Sequence, residues 1–108
     1  MSAEKQFQEI AESMPLSKVG LDLQKNGKGY GLIIVDEVNG FATVGAGNLA
    51  PQTPNEQVSV MVSETNRLAR AFTKQKMPVL AFLDTHDPGK PEPPYPPHCE
   101  RGTGEEDL

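Results

Sequence analysis

Asp84, His86 and His98 are residue types that ligate metals, and they stand close together in the chain. His86 and His98 are also its only two histidines. If Asp84-Thr85-His86 is extended, residues two apart point to the same side, so a carboxylate and an imidazole converge on one point. His98 comes next on a Pro-rich loop that can fold back over them. One carboxylate and two imidazoles form a three-ligand set for a catalytic divalent metal, with positions left open for water or substrate. A pair of exposed loop histidines would give the same spacing.

Asp36 is the next candidate. It ends the apolar run Leu32-Ile33-Ile34-Val35, as Asp84 ends Val79-Leu80-Ala81-Phe82-Leu83. In open α/β sheets ligands bind beyond the carboxyl ends of the strands. Two carboxylates delivered there by neighbouring strands are well placed for chemistry, although aspartate also initiates turns. Cys99, beside His98, has no orienting partner in the sequence and reads as an ordinary thiol rather than an activated nucleophile. Gly45-Ala46-Gly47 is too short a glycine motif for a phosphate loop and reads as turn geometry.

The elements that must position these residues alternate in type. Phe7, Ile10, Ala11 and Met14 recur at helical spacing and predict a short amphipathic helix over residues 4–14. Pro15 closes it, and its apolar face is expected to pack against the rest of the chain. Gly20, Asn26, Gly27 and Gly29 predict a turn-rich connector over 16–29. The run over 30–35 has no alternation, which predicts a strand buried on both faces, as in parallel sheets. A long loop is expected over 36–52. Thr53-Pro54-Asn55-Glu56 has the form of a capping box, with Thr53 at N-cap and Glu56 at N3. The helix it opens carries Val58, Met61, Val62, Leu68, Ala69 and Phe72 on one face. A second strand begins after Pro78. Strand, helix and strand make a βαβ unit, expected to be right-handed. Prolines crowd the stretch from Asp87 to Pro97, so neither helix nor interior strand continues there. Two parallel strands need a wider sheet and helices on both faces, so the expected fold class is α/β, with further strands lying outside this sequence.

At 108 residues the chain suits one small domain. A net charge of -5 argues against nucleic acid and against an anionic membrane surface, both of which reward clustered Lys and Arg. No segment has the apolar length of a membrane span, and the N-terminus resembles neither a signal nor a transit peptide. The single cysteine excludes an intrachain disulfide and fits a reducing, cytoplasmic compartment.

Three segments, in order, resemble the isochorismatase-like hydrolases, specifically the plant-type nicotinamidase branch. They are the apolar strand leading into Asp36-Glu37-Val38-Asn39-Gly40-Phe41, the strand end Phe82-Leu83-Asp84-Thr85-His86, and Pro96-Pro97-His98-Cys99 with Gly102-Thr103-Gly104. The likeness covers residues 27–108, as the first part of an isochorismatase-like domain. Residues 1–26, the amphipathic helix and connector, carry no family motif.

The resemblance implies an incomplete Rossmann-like three-layer α/β/α domain with a parallel sheet, of which the first βαβ unit is present. It implies Asp36 as catalytic base, Phe41 against a pyridine ring, and Asp84, His86 and His98 around a divalent metal, zinc first. The implied reaction is nicotinamide plus water giving nicotinate and ammonia in NAD salvage, through a thioester, with homo-oligomers common in the family. The family's catalytic lysine and cysteine have no counterpart here. Lys90 does not match the lysine, and Cys99 matches the cysteine beside the metal histidine. Val38 and Gly40 depart from the family's usual D-x-Q-N-D-F and agree with its plant branch. The 108-residue chain is therefore expected to be inactive alone. Two alternatives remain open: another isochorismatase-family hydrolase with a different substrate, and a non-catalytic product that binds metal or a full-length relative.

Overall fold

The computed structural model describes residues 2–14 and 29–108. Helix α1 (Ala3–Ser13) forms where the apolar spacing predicts it. Ser2 caps it, its Oγ accepting from the Lys5 amide. Met14 is extended, as the residue before a proline must be. Phe7, Ile10 and Met14 stay exposed, so the packing expected of this helix is not found among the described residues. The predicted connector, save Gly29, lies outside the described residues.

Strands β1 (Leu32–Val35) and β2 (Val79–Phe82) pair in parallel, Leu32 with Val79 through Val35 with Phe82. The Asp36 amide extends this ladder by donating to the Phe82 carbonyl over 2.9 Å. Asp36 and Asp84 thus leave the same end of the sheet, as the sequence requires. The fold is α/β: a small parallel sheet with helices. Burial on both faces is not observed. Leu32 and Ile34 are half-buried, whereas Ile33, Val35, Leu80 and Phe82 are exposed among the described residues. Strand alternation sends neighbouring residues to opposite faces, and among the described residues only one face has a helix over it.

That helix is α3 (Glu56–Lys74). Its N-cap is Asn55, not Thr53: the Asn55 Oδ1 accepts from the Val58 amide over 3.0 Å. The N-cap thus lies two residues later and no capping box forms, since N3 is Val58; Glu56 opens the helix as a favourable charge in its first turn. Asn is as good an N-cap as any residue, so local preference does not favour Thr53 over it. Val58, Thr65, Leu68, Ala69 and Phe72 are the less exposed residues of α3, whereas Met61 and Val62 remain open to solvent. The helix ends in a Schellman motif with Lys76 at φ 58. The Lys76 amide donates to Thr73 and the Met77 amide to Phe72, before Pro78 starts the run into β2.

One short helix was not expected. Asn39–Ala42 forms α2 inside the predicted loop. Its first amides are taken from outside the turn: Asn39 donates to the Asp107 carbonyl and Gly40 to that of Glu105, both over 2.8 Å. The buried core lies here, with Val38 and Cys99 fully enclosed and Ala50 nearly so. Gly40 is required by this packing, because a Cβ there would stand 2.6 Å from the Cys99 Sγ. No described helix is long and apolar enough to cross a membrane.

Asn55→Ala is expected to destabilise the chain by about 1 kcal/mol, and Thr53→Ala by less than about 0.5 kcal/mol. Urea unfolding of the two variants measures this, and the reverse order would restore the cap to Thr53.

Candidate metal centre and adjoining cleft

After β2 the chain stays extended to His86, which then pairs with the returning chain. The His86 amide donates to the Cys99 carbonyl over 2.9 Å, and the Arg101 amide donates to the His86 carbonyl over 2.8 Å. This parallel bridge closes the Pro-rich loop and returns His98 to the sheet edge. Within the loop the Pro93–Pro94 peptide is cis. Cys99 takes a left-handed conformation, φ 47, which turns the chain immediately after His98.

Asp84, His86 and His98 are brought together. Their ligand atoms all lie within 4.8 Å of one another. The His86 Nε2 stands 3.0 Å from Asp84 Oδ1, and the His98 Nε2 stands 3.3 Å from Asp84 Oδ2. Glu92, not singled out in the sequence, joins them from the loop. Its Oε2 lies 3.2 Å from His86 Nε2 and 3.5 Å from His98 Nε2. A glutamate among prolines has no spacing signal, and only the path of the loop brings it in.

The donor set fits a divalent cation. The His98 Nδ1 lies 2.7 Å from the Pro96 carbonyl oxygen. A carbonyl only accepts, so Nδ1 carries the hydrogen, and in the neutral ring the Nε2 lone pair faces two carboxylates. Oxygen and nitrogen lone pairs at such separations repel unless positive charge lies between them. Zinc–ligand bonds of 2.0–2.2 Å place tetrahedral ligand atoms about 3.3–3.6 Å apart, close to the nitrogen–oxygen separations observed. Fixing the imidazole through its second nitrogen is the usual way a ligating histidine is oriented.

Beside this cluster lies a cleft of about 300 Å³ lined by Asp36, Phe41, Leu49, Asp84, Glu92, Tyr95 and His98. The Phe41 ring is tilted against His98, centroids 5.8 Å apart, and the Tyr95 ring meets His98 edge-on at 6.0 Å. Tyr95 and Leu49 were not anticipated, since a lone aromatic among prolines and a leucine after glycines carry no periodicity. Asp36 is exposed and held at φ 58, a conformation aspartate tolerates better than most residues and one often found at functional sites. No described residue donates a hydrogen bond to its carboxylate.

Cys99 is not available as a nucleophile. It is fully buried, and its thiol is pushed up to about 12, first by burial and then by the nearby Asp84 carboxylate. A raised thiol value means less thiolate at any given pH. At pH 8 the native chain holds about a thousandfold less Cys99 thiolate than an ordinary thiol would. Reaction with dithionitrobenzoate at pH 8 should therefore be slow in the native chain and become fast in guanidinium chloride. Equal rates would place this thiol in solvent.

No family model matches the chain, and no solved structure matches it. Among curated proteins, Nicotinamidase 1 of Arabidopsis thaliana is 48% identical over 102 residues, which is 94% of this chain and 42% of that relative. The chain thus spans less than half the length of the relative it matches. The likeness runs over nearly all of the present sequence, and the chain is similar to one part of that nicotinamidase.

Proposed function

We propose that this chain carries the metal-binding and ring-binding part of a nicotinamidase site, in an isochorismatase-like three-layer α/β/α fold of which β1, α3 and β2 are the first βαβ unit. The observation that carries the reading is the convergence of Asp84, His86 and His98 beside a cleft walled by Phe41, in a chain akin to Nicotinamidase 1. The reaction is hydrolysis of nicotinamide to nicotinate and ammonia, as in salvage of the NAD ring.

Asp84, His86 and His98 would hold the cation, zinc by their chemistry, with Glu92 placed to share it. A bound divalent cation supplies a Lewis-acidic point that takes the pyridine nitrogen and so orients the ring. Phe41 offers an apolar face to that ring, and Tyr95 narrows the mouth of the cleft. Asp36, which lines the same cleft, is the group that takes a proton from an attacking nucleophile.

The nucleophile is not in this sequence. Its only thiol is Cys99, which is buried and protonated. Turnover therefore needs a second cysteine and a lysine from polypeptide with no counterpart here, consistent with a relative more than twice this length. Oriented donors for the carbonyl oxygen would come from the same source, a contribution of several kcal/mol to the barrier.

The test uses the 108-residue chain and cobalt(II) as a spectroscopic stand-in for zinc. One equivalent should bind on equilibrium dialysis, and Asp84→Asn or His98→Ala should weaken binding by roughly a hundredfold. Nicotinamide should shift the cobalt bands. Benzamide, which lacks the ring nitrogen, should not, and the chain alone should release no ammonia. Undiminished binding by His98→Ala, or equal shifts with the two amides, would contradict the reading.

A further inference from the structure

The proline loop that carries His98 presents an anchoring problem. Pro93, Pro94, Pro96 and Pro97 have no amide hydrogen to donate, so this stretch is held mainly through its carbonyl oxygens. The Pro96 carbonyl is taken by the ring of His98 itself. The Pro97 carbonyl, directly before His98, is taken by Asn48, whose Nδ2 donates to it over 2.6 Å. Among the described residues this is the one hydrogen bond that reaches residues 93–97 from outside the loop. The bridge through His86, Cys99 and Arg101 secures only the chain beyond His98.

Asn48 belongs to the Gly45-Ala46-Gly47-Asn48 stretch, whose glycines carry no phosphate-loop chemistry. The stretch has internal support: the Ala50 amide and the Gln52 Nε2 both donate to the Gly47 carbonyl. Gly47 packs against the Glu105 side chain, whose carboxylate would have to move to admit a Cβ there. The next residue, Leu49, lines the cleft. One rigid turn therefore touches the cleft through Leu49 and the loop bearing a metal-ligating histidine through Asn48.

We propose that Asn48 is a positioning residue that sets the His98 imidazole against Asp84 and His86, coupling the cleft wall to the metal centre. The inference rests on the metal-site reading above, and it assigns Asn48 no contact with cation or substrate. Its chemistry is donation of one hydrogen bond to a peptide carbonyl. An isosteric acceptor should therefore fail where a longer donor partly succeeds.

The experiment compares cobalt(II) binding to the 108-residue chain and its Asn48→Asp, Asn48→Ala and Asn48→Gln variants. Asn48→Asp keeps the shape but sets a carboxylate oxygen against the Pro97 carbonyl. It should weaken cobalt binding about tenfold and alter the cobalt bands, while the variant still unfolds cooperatively in urea. Asn48→Ala should behave similarly, and Asn48→Gln should recover part of the affinity and the original bands. In the metal-free chain Asn48→Asp should speed amide exchange of His86 and Arg101 by about fivefold, the worth of one such hydrogen bond. Wild-type cobalt affinity and unchanged exchange in a folded Asn48→Asp variant would overturn the inference. If the wild-type chain bound no cobalt, the metal reading would fail instead, and amide exchange alone would decide whether Asn48 anchors the loop.

Discussion

The site depends on two backbone hydrogen bonds, from His86 to Cys99 and from Arg101 to His86. Without them the Pro-rich loop would be a tail, and His98 would be one more exposed imidazole. With them, a segment that can build no helix or strand of its own is tied to the edge of a parallel sheet. The loop is thus held at both ends while its middle stays open, and Glu92 and Tyr95 project from that middle toward the cluster and cleft. Each bond contributes about 1 kcal/mol by itself. Its larger effect is geometric, since it converts sequence proximity into convergence of Asp84, His86 and His98, with Glu92 beside them.

The sheet does the complementary work from below. Parallel pairing in register makes Asp36 and Asp84 leave neighbouring strands at the same end, which antiparallel strands could not do. The buried residues cluster under that edge rather than across the sheet: Val38, Cys99 and the α2 turn packed on residues 104–107 form the floor of the site. Burying Cys99 there fills space at the cost of its reactivity. A thiolate among Asp36, Asp84 and Glu105 would add negative charge to an already anionic place. Asp84, which adds to the effect of burial on the thiol, is also the carboxylate of the cluster suited to a cation.

Much of this was legible in the residues. Asp84 and His86 converge because strand geometry has period two, and both strands lie where apolar runs end in aspartate. The Schellman end of α3 is consistent with Pro78 just beyond it. Other features depend on contacts distant in sequence and leave no local pattern. Glu92, Tyr95 and Asn48 matter only because the loop folds back, and nothing in their neighbours announces it. The shift of the helix cap from Thr53 to Asn55 reflects two competent caps in one short segment. Exposure of Ile33, Val35, Leu80 and Phe82 could not be read from composition, since an apolar run says that burial is favourable and not what would cover it.

A divalent cation held by two imidazoles and carboxylate oxygen, with sulfur excluded, is the feature on which the functional reading stands. X-ray absorption at the zinc edge of the zinc-loaded chain examines that coordination shell itself. Nitrogen and oxygen neighbours are expected at about 2.0–2.1 Å, with the outer scattering of two imidazole rings and no sulfur. A sulfur neighbour at about 2.3 Å would bring Cys99 into the site and contradict this coordination, as would a spectrum free of imidazole scattering.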